Sequence, residues 1–317
     1  MTRVLLLLAL PENVREIYCR QLRTSFPEVR IDVVDHHSKA SPFIEQADVL
    51  VSFGPMLADH VFRQAARLKW VQALGTGTDG ITDRPSLSAG VLVTNMHGIH
   101  GDAMSEAALM LMLALCRQLP RSLGCQARRS WERFPARLLT GKTVGILGIG
   151  AIAETLAPKC KVFGMRVVGI TSSPREVAGF DAVVHRDTLL QTVSEVDFLV
   201  MLTPHSGATH RLVDAAVLAA MKPSGYLVNL ARGGVLDEDA LVEALDKGRI
   251  AGAALDVFGT EPLPADSPIW SAPNLIVTAH QGGFNDEYPA RALPVIEQNL
   301  RHFLAGDVDN MINLVRR

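Results

Sequence analysis

The stretch VGILGIGAIAETLA, residues 144–157, decides the fold of this chain. Its first residues predict a buried strand, and its alanine-rich end predicts a helix. Between them, Gly148, Gly150 and Ala153 fit the dinucleotide-binding pattern G-x-G-x-x-G/A. Gly148 permits the tight turn, Gly150 lets a pyrophosphate approach the backbone, and the small Ala153 lets the helix pack on the strand. Alone the pattern is weak evidence for a cofactor, since a glycine-rich turn can also have a purely structural role.

Length and composition are those of an ordinary globular protein. The 317 residues suffice for two domains, with 48% hydrophobic and 20% charged residues. A formal net charge of -2 gives no electrostatic reason for binding nucleic acid or an anionic membrane. The four cysteines follow no ligand spacing and are expected to be reduced thiols of a cytoplasmic protein. No apolar run reaches the roughly 18 residues of a membrane helix.

Short apolar strands alternate with amphipathic helices, which predicts an α/β fold with mostly parallel sheets. Strands are predicted over residues 4–10, 31–34, 49–53, 70–74 and 91–94, and six more over 143–147, 166–170, 198–202, 226–229, 251–255 and 275–278. Helices are predicted over residues 12–25, 57–68, 103–115, 237–246 and 286–304. We therefore expect two doubly wound, Rossmann-like or flavodoxin-like domains with a cleft between them.

The expected division assigns a separate role to each domain. Residues 1–98 with 286–317 form the predicted substrate-binding domain, and residues 99–285 form the predicted dinucleotide-binding domain. The apolar tail 311–315 needs a surface to cover it.

Two loops of the first domain carry candidate polar sites. Gly75, Thr76 and Gly77 follow a predicted strand and offer backbone donors to a carboxylate, although a simple turn explains them equally well. His97 and His100 share a loop without a third ligand nearby, so no metal site is expected.

Three polar residues follow predicted strands of the second domain. Arg232 lies in NLARGG, Glu261 in ALDVFGTEPL and His280 in TAHQGG. In a parallel sheet all three emerge on the side where a nucleotide lies. Singly they can be a surface base, a loop acid and a structural histidine. Their order behind the glycine turn is what favours a catalytic role.

From about residue 49 to residue 306 the chain resembles the D-isomer-specific 2-hydroxyacid dehydrogenases, the glyoxylate/hydroxypyruvate reductases among them. The segments that carry the resemblance are NLARGGVLDEDAL, ALDVFGTEPLP and TAHQGG. It implies that Arg232 holds the substrate carboxylate and polarises the carbonyl. His280 would donate a proton as hydride arrives from the nicotinamide, and Glu261 would pair with His280.

The resemblance also implies a set of ligand contacts. The substrate carboxylate would meet Gly75, Thr76, Gly77 and Arg232. The cofactor would meet Gly148, Gly150, Ala151, Ile152, Pro204, Leu230, Ala231, Asp256, His280 and Gly282. Asp256 is expected near the nicotinamide carboxamide. Ala151 stands where many relatives have arginine, so the pyrophosphate would depend on backbone N–H groups and the helix dipole.

The residues after the strand 166–170 favour NADP, with NAD as the open alternative. An NAD-selective site has Asp or Glu about 20 residues after the glycines, where it binds the ribose 2′-OH. Here Ser172, Ser173 and Arg175 precede the first acid, Glu176. Hydroxyls and a guanidinium suit a 2′-phosphate.

These features predict a cytoplasmic NAD(P)-dependent oxidoreductase that reduces a small 2-oxo acid, glyoxylate or hydroxypyruvate first, to a D-2-hydroxy acid. A bulkier acid stays open, and a 3-phosphoglycerate-type acid is less expected because no regulatory domain follows residue 317 in this sequence. The alternative is a non-catalytic NAD(P)H-sensing protein of the corepressor type. The resemblance implies a homodimer joined through the cofactor domains, with residues 116–140 contributing and Trp131 as a hypothetical contact to the partner's active site.

Overall fold

The computed structural model describes residues 1–315, which divide into two compact units. One unit comprises Met1–His100 and the C-terminal segment from Asn285 onward, and the other comprises Gly101–Phe284. The sequence places these boundaries near residues 98 and 286. The last two residues of the predicted segment 286–317 lie outside the described residues.

The first unit contains a five-stranded sheet in which every strand pair is parallel. Its strands are β1 (Arg3–Leu7), β2 (Arg30–Val34), β3 (Val49–Ser52), β4 (Trp70–Ala73) and β5 (Leu92–Thr94). Their order, β2-β1-β3-β4-β5, is that of flavodoxin-like sheets. The middle strands β3 and β4 are buried throughout, because helices cover both faces of a parallel sheet.

The second unit contains a seven-stranded parallel sheet in the order β12-β11-β10-β9-β6-β7-β8. The strands are β6 (Thr143–Leu147), β7 (Arg166–Thr171), β8 (Ala182–His185), β9 (Phe198–Met201), β10 (Tyr226–Asn229), β11 (Gly252–Leu255) and β12 (Leu275–Val277). This is the strand order of Rossmann domains. The predicted α/β class with two parallel sheets is confirmed, but β8 was not among the predicted strands. It is an edge strand whose residues are only partly covered, so it lacks the apolar run of a buried strand.

Helices connect most of the strands. They are α1 (Glu12–Ser25), α2 (Ser41–Ile44), α3 (Asp59–Arg63), α4 (Gly101–Cys116), α5 (Leu119–Ala127), α6 (Ala151–Val162), α7 (Leu189–Glu195), α8 (Ala215–Ala220), α9 (Glu238–Asp246) and α10 (Tyr288–Ala305). The prediction over 57–68 was too long, since α3 is flanked by turns that lead directly into β4. The predicted helix 286–304 begins at Tyr288, where Pro289 suits the first helical turn.

The C-terminal tail of the first unit covers the outer edge of its sheet. Met311 is buried in the core cluster that also contains residues of α1 and α10. Leu314 forms an antiparallel bridge with Thr94 of β5, and Val315 N donates to Val93 O over 2.8 Å. The tail thereby pairs with the edge of β5, which provides the surface that its apolar sequence was predicted to need.

Within residues 1–315, none of the helices is both long enough and apolar enough to cross a bilayer.

Candidate functional site

The predicted cofactor residues of the second unit follow the carboxyl ends of its strands. Gly148 comes after β6, Ser172 after β7, Leu230 after β10 and Asp256 after β11. Because all the strands are parallel, these ends share one edge of the sheet. The strand order reverses direction between the neighbouring strands β6 and β9. Open α/β sheets bind their ligands at such a reversal.

The glycine turn after β6 has the backbone that its sequence predicts. Gly148 has φ +100°, and a side chain there would place Cβ 2.6 Å from Thr203 N. Gly150 precedes α6, and a Cβ added to it would meet nothing within 4 Å. Ala153 is fully buried under the sheet. The turn is therefore closed on its Gly148 side and open at Gly150, where an anion could approach the start of α6.

His280 and Glu261 form a hydrogen-bonded pair. His280 Nδ1 lies 2.7 Å from Glu261 Oε2, and Glu261 Oε1 accepts from Phe258 N at 2.9 Å. His280 has φ +48°, a conformation held by its own N–H, which donates to Asp256 O over 2.7 Å. Because Glu261 engages Nδ1, the opposite ring nitrogen, Nε2, is the one turned away from the carboxylate.

The electrostatics of this pair keep Glu261 ionised. Partial desolvation raises the pKa of Glu261, but hydrogen bonds from His280 and Phe258 N lower it. The charges of His280 and Arg232 lower it further, so the pKa lies below its ordinary value. Arg232 is therefore near enough to act on the pair through its charge.

The Asp256 carboxylate builds the loop that presents His280. This buried side chain accepts from Thr278 Oγ1 at 2.5 Å, Gln281 N at 3.0 Å and Gly282 N at 2.9 Å. Asp256 was predicted to lie near the nicotinamide, and this role in holding the loop was not predicted. The only available signal was an acid at a strand end, separated by more than twenty residues from the loop it holds.

Arg232 follows β10 in a turn shaped by Asn229. The fully buried Asn229 accepts from Ala231 N at 3.0 Å and donates through Nδ2 to Arg232 O at 3.2 Å. Arg232 Nη1 donates to Ala231 O at 2.6 Å. Asn229 was not among the predicted site residues, although it stands in the NLARGG segment.

In the first unit, oxygen atoms of the Leu74–Gly77 loop are hydrogen-bonded to groups of the same unit. Its oxygens bond within the same unit: Leu74 O to Tyr288 Oη, Gly75 O to Met96 N (3.0 Å), Thr76 O to Asn95 Nδ2 (2.7 Å) and Thr76 Oγ1 to His100 Nδ1 (2.9 Å). The N–H groups of Gly75, Thr76 and Gly77 donate to no acceptor within the described residues. The loop thus offers donors, as a carboxylate needs.

The loop after β7 contains the residues predicted to choose the cofactor. Ser172 O accepts from His185 Nε2 at 3.0 Å, and Ser173 N donates to Thr171 Oγ1 at 3.3 Å. Arg175 Nη2 lies 2.7 Å from Glu154 Oε1 of α6, and both side chains are exposed. Glu154, which pairs with Arg175, was not among the predicted site residues.

The remaining predicted contacts lie on neighbouring loops of the same edge. Pro204 follows β9, and its carbonyl accepts from Thr209 Oγ1 at 2.7 Å. Leu230 and Ala231 are buried. Within residues 1–315, no three His, Cys, Asp or Glu side chains are grouped as ligands of a metal ion.

The family profile "D-isomer specific 2-hydroxyacid dehydrogenase, NAD binding domain" matches residues 109–282. D-3-phosphoglycerate dehydrogenase of Methanocaldococcus jannaschii is 34% identical over 86% of this chain and 52% of its own length. The chain thus spans about half the length of this relative and of several others that it matches. Glyoxylate reductase of Korarchaeum cryptofilum is 31% identical over 85% of this chain and 84% of its own length.

Solved structures share the fold along the whole chain. A D-isomer specific 2-hydroxyacid dehydrogenase family protein of Aeromonas salmonicida is 34% identical, with a TM-score of 0.89 over 99% of both chains. The NADPH-dependent glyoxylate/hydroxypyruvate reductase of Sinorhizobium meliloti, solved with NADP and sulfate, is 27% identical. Its TM-score is 0.85 over 99% of this chain and 98% of that one. These matches confirm the predicted resemblance: the chain belongs to the D-isomer specific 2-hydroxyacid dehydrogenase family.

Proposed function

We propose that this chain is an NAD(P)-dependent oxidoreductase that reduces a small 2-oxo acid to a D-2-hydroxy acid. The observation that carries the proposal is the 2.7 Å pair of His280 Nδ1 and Glu261 Oε2, with the charge of Arg232 acting on it. Family membership supports the same reaction class.

The glycine turn fits a dinucleotide pyrophosphate. The open space at Gly150 admits the phosphates, and the N–H groups of Ala151 and Ile152 would bind them at the start of α6. Leu230, Ala231, Pro204, Asp256 and Gly282 are proposed as further cofactor contacts along the same sheet edge. When bound, the reduced nicotinamide supplies the hydride.

The protein's own groups would bind the substrate and manage the proton. The protonated His280 donates its Nε2 proton to the carbonyl oxygen as the carbon gains hydride, so the C=O becomes CH–OH. Glu261 at Nδ1 orients the ring for this transfer. In the reverse direction His280 takes the proton back. Arg232 holds the substrate carboxylate and polarises the carbonyl.

Gly75, Thr76 and Gly77 are proposed to bind the substrate carboxylate through their N–H groups. The loop carbonyls already bond within their own unit, so the loop presents donors to an anion without having to rearrange. Preorganised donors of this kind are the usual means of holding an anion.

NADP is the proposed cofactor, with NAD as the alternative. Ser172, Ser173 and Arg175 supply hydroxyls and a guanidinium to a 2′-phosphate. Arg175 would exchange Glu154 for the phosphate, because a phosphate offers more charge and more acceptor oxygens than one carboxylate. NADP bound to the Sinorhizobium meliloti reductase supports this preference.

Glyoxylate and hydroxypyruvate are the proposed substrates. Two similar proteins carry names that point to them, the Korarchaeum cryptofilum glyoxylate reductase and the Sinorhizobium meliloti reductase. The name of the Methanocaldococcus jannaschii relative points instead to 3-phosphoglycerate.

We also propose a cytoplasmic homodimer joined through the second unit. Five large apolar side chains are exposed between residues 110 and 138: Met110, Leu119, Leu123, Trp131 and Leu138. Trp131 is 93% exposed and is the proposed contact with the partner's active site. Light scattering should then show a dimer for the wild type and a monomer for Leu123→Asp. The control Val162→Asp, which alters an exposed apolar side chain at the end of α6, should remain dimeric.

The proposal is tested by adding NADPH or NADH to the purified chain with glyoxylate, hydroxypyruvate, pyruvate or phenylpyruvate. Loss of reduced nicotinamide with hydroxypyruvate, together with D-glycerate as the product on a chiral column, supports the dehydrogenase function. Tight binding of NADPH without turnover of any acid supports the corepressor-type alternative.

A further inference from the structure

A second carboxylate, that of Glu238, lies beside the loop of the His280–Glu261 pair. Glu238 is not among the predicted site residues. Glu238 is the first residue of α9 and is half-buried. Its Oε1 accepts from Gly259 N at 2.7 Å. Gly259 belongs to the short loop between Asp256 and Glu261, so this bond holds the backbone that carries Glu261.

The segment that contains Glu238 also carries Arg232. Gly233 sits directly on the loop of Glu261, since a Cβ added there would overlap the carbonyl carbon of Phe258 and the nitrogen of Gly259. The Arg232 turn and the Glu261 loop therefore touch backbone to backbone. Glu238, five residues after Gly233, joins the same two segments at a second point through its hydrogen bond.

The surroundings of Glu238 raise its pKa. Burial raises the pKa of Glu238, and the neighbouring charges of Asp239 and Glu261 raise it further. The Gly259 N–H and the charge of Arg211 oppose the rise without cancelling it.

We propose that Glu238 positions the His280–Glu261 pair relative to Arg232 by binding Gly259 N, a role that rests on the proposed dehydrogenase function. Hydride transfer needs Arg232 to hold the acid while His280 protonates its carbonyl, so the two loops must keep a fixed separation. The contact at Gly233 sets how closely they approach. The bond from Glu238 prevents the Glu261 loop from sliding along that contact.

The test compares Glu238→Ala, Glu238→Gln and the control Glu243→Ala in the full chain. Glutamine keeps an oxygen that can accept from Gly259 N, whereas alanine does not. Glu243 is an exposed residue of the same helix and pairs with Lys247. Steady-state kinetics with NADPH and glyoxylate are measured together with thermal unfolding and the exchange rate of the Gly259 amide proton.

We expect Glu238→Ala to lower kcat by about 10- to 100-fold, the effect of a displacement near 1 Å, with KM changed by less than about threefold. Glu238→Gln and Glu243→Ala should retain most of the wild-type kcat. The Gly259 amide should exchange faster in Glu238→Ala alone.

An unchanged kcat in Glu238→Ala overturns the positioning role, as does an equal loss in Glu238→Gln. Unaltered exchange at Gly259 overturns the hydrogen bond on which the role depends. A wild type that turns over no 2-oxo acid contradicts the proposed function itself. Turnover that is insensitive to Glu238→Ala contradicts only the role of Glu238.

Discussion

His280 Nδ1 and Glu261 Oε2 are 2.7 Å apart, although the two residues are nineteen positions apart in the chain. Glu261→Gln removes the carboxylate charge that faces His280 Nδ1. We expect kcat to fall by about 10- to 100-fold, a part of the roughly 10²–10⁴ that general acid–base catalysis contributes. Stopped-flow or steady-state oxidation of NADPH with glyoxylate measures this loss.

A second histidine–carboxylate pair provides the matched control. His302 Nδ1 lies 2.9 Å from Asp307 Oδ2 in the first unit, and neither residue is among the proposed site residues. Asp307→Asn should leave kcat within about twofold, because surface changes outside a site have small effects. Equal losses in Glu261→Gln and Asp307→Asn would mean that the first pair has no special part in the reaction.

The lowered pKa of Glu261 makes its contribution to stability depend on pH. Because the folded-state pKa lies below the ordinary value of 4.5, the stabilisation is complete above that pH and is lost as the pH falls through the folded-state value. The difference in free energy of unfolding between wild type and Glu261→Gln should therefore shrink on acidification. Urea unfolding at a series of pH values measures it.

The uncharged substitution Ser194→Ala, on the exposed face of α7, serves as the control for that series. Its difference from the wild type should not vary systematically with pH. A Glu261→Gln difference that stays constant from neutral pH to well below 4.5 would show that the carboxylate gains nothing from its neighbours in the folded state.

Asp256 should matter to stability because its carboxylate is the acceptor for three donors. Asp256→Ala leaves Thr278 Oγ1 and the N–H groups of Gln281 and Gly282 without that acceptor. At about 1–3 kcal/mol for each buried donor, softened by local rearrangement, we expect a loss of about 3 kcal/mol in the free energy of unfolding. Chemical denaturation provides the value.

Two further variants calibrate this loss. Thr278→Val removes a single bond to Asp256 and should cost about 1 kcal/mol. Asp266→Ala, an exposed loop acid of the same unit, should change stability by less than about 0.5 kcal/mol. If Asp256→Ala lowers the free energy of unfolding no more than Asp266→Ala does, the Asp256 carboxylate does not hold the His280 loop.

Arg175 should set the preference for NADPH. A hydrogen bond to a charged group contributes about 1.5–3 kcal/mol, so Arg175→Ala should lower kcat/KM for NADPH by about 10- to 100-fold and leave NADH nearly unchanged. Glu154→Gln, which weakens the competing ion pair, should raise the NADPH to NADH ratio. Steady-state kinetics with both cofactors give the ratio.

Arg166→Ala is the control for this comparison, since Arg166 is exposed at the opposite end of the same strand, β7. Arg166→Ala should leave kcat/KM unchanged for both NADPH and NADH. A wild type that prefers NADH, or an Arg175→Ala variant that loses both cofactors equally, would refute the 2′-phosphate assignment.

Much of the fold follows from local sequence patterns. The glycine turn at residues 148–153 and the regular alternation of apolar strands predicted both parallel sheets, because buried strands must be apolar on both faces. The edge strand β8 escaped prediction because its residues are only partly covered. The range predicted for the short helix α3 was too long because the apolar periodicity continues into the turns on either side of it.

The candidate site was predictable only where its residues stand in short segments. Arg232, Glu261 and His280 each sit in such a segment. Asp256 and Glu238 bind backbone N–H groups more than twenty residues away, at Gln281 and Gly259 respectively. A bond between a carboxylate and a distant amide leaves no local pattern, so only the folded arrangement reveals these two positioning carboxylates.

The most direct test of the central claim is the rate of NADPH loss with glyoxylate for the wild type and for His280→Ala, measured side by side. We predict turnover by the wild type and a rate lower by about 10²–10⁴-fold in the variant, the contribution of general acid catalysis, with NADPH still bound. Equal rates in the two proteins would contradict the assignment of His280 as the proton donor. No wild-type turnover with any 2-oxo acid, despite NADPH binding, would contradict the dehydrogenase function.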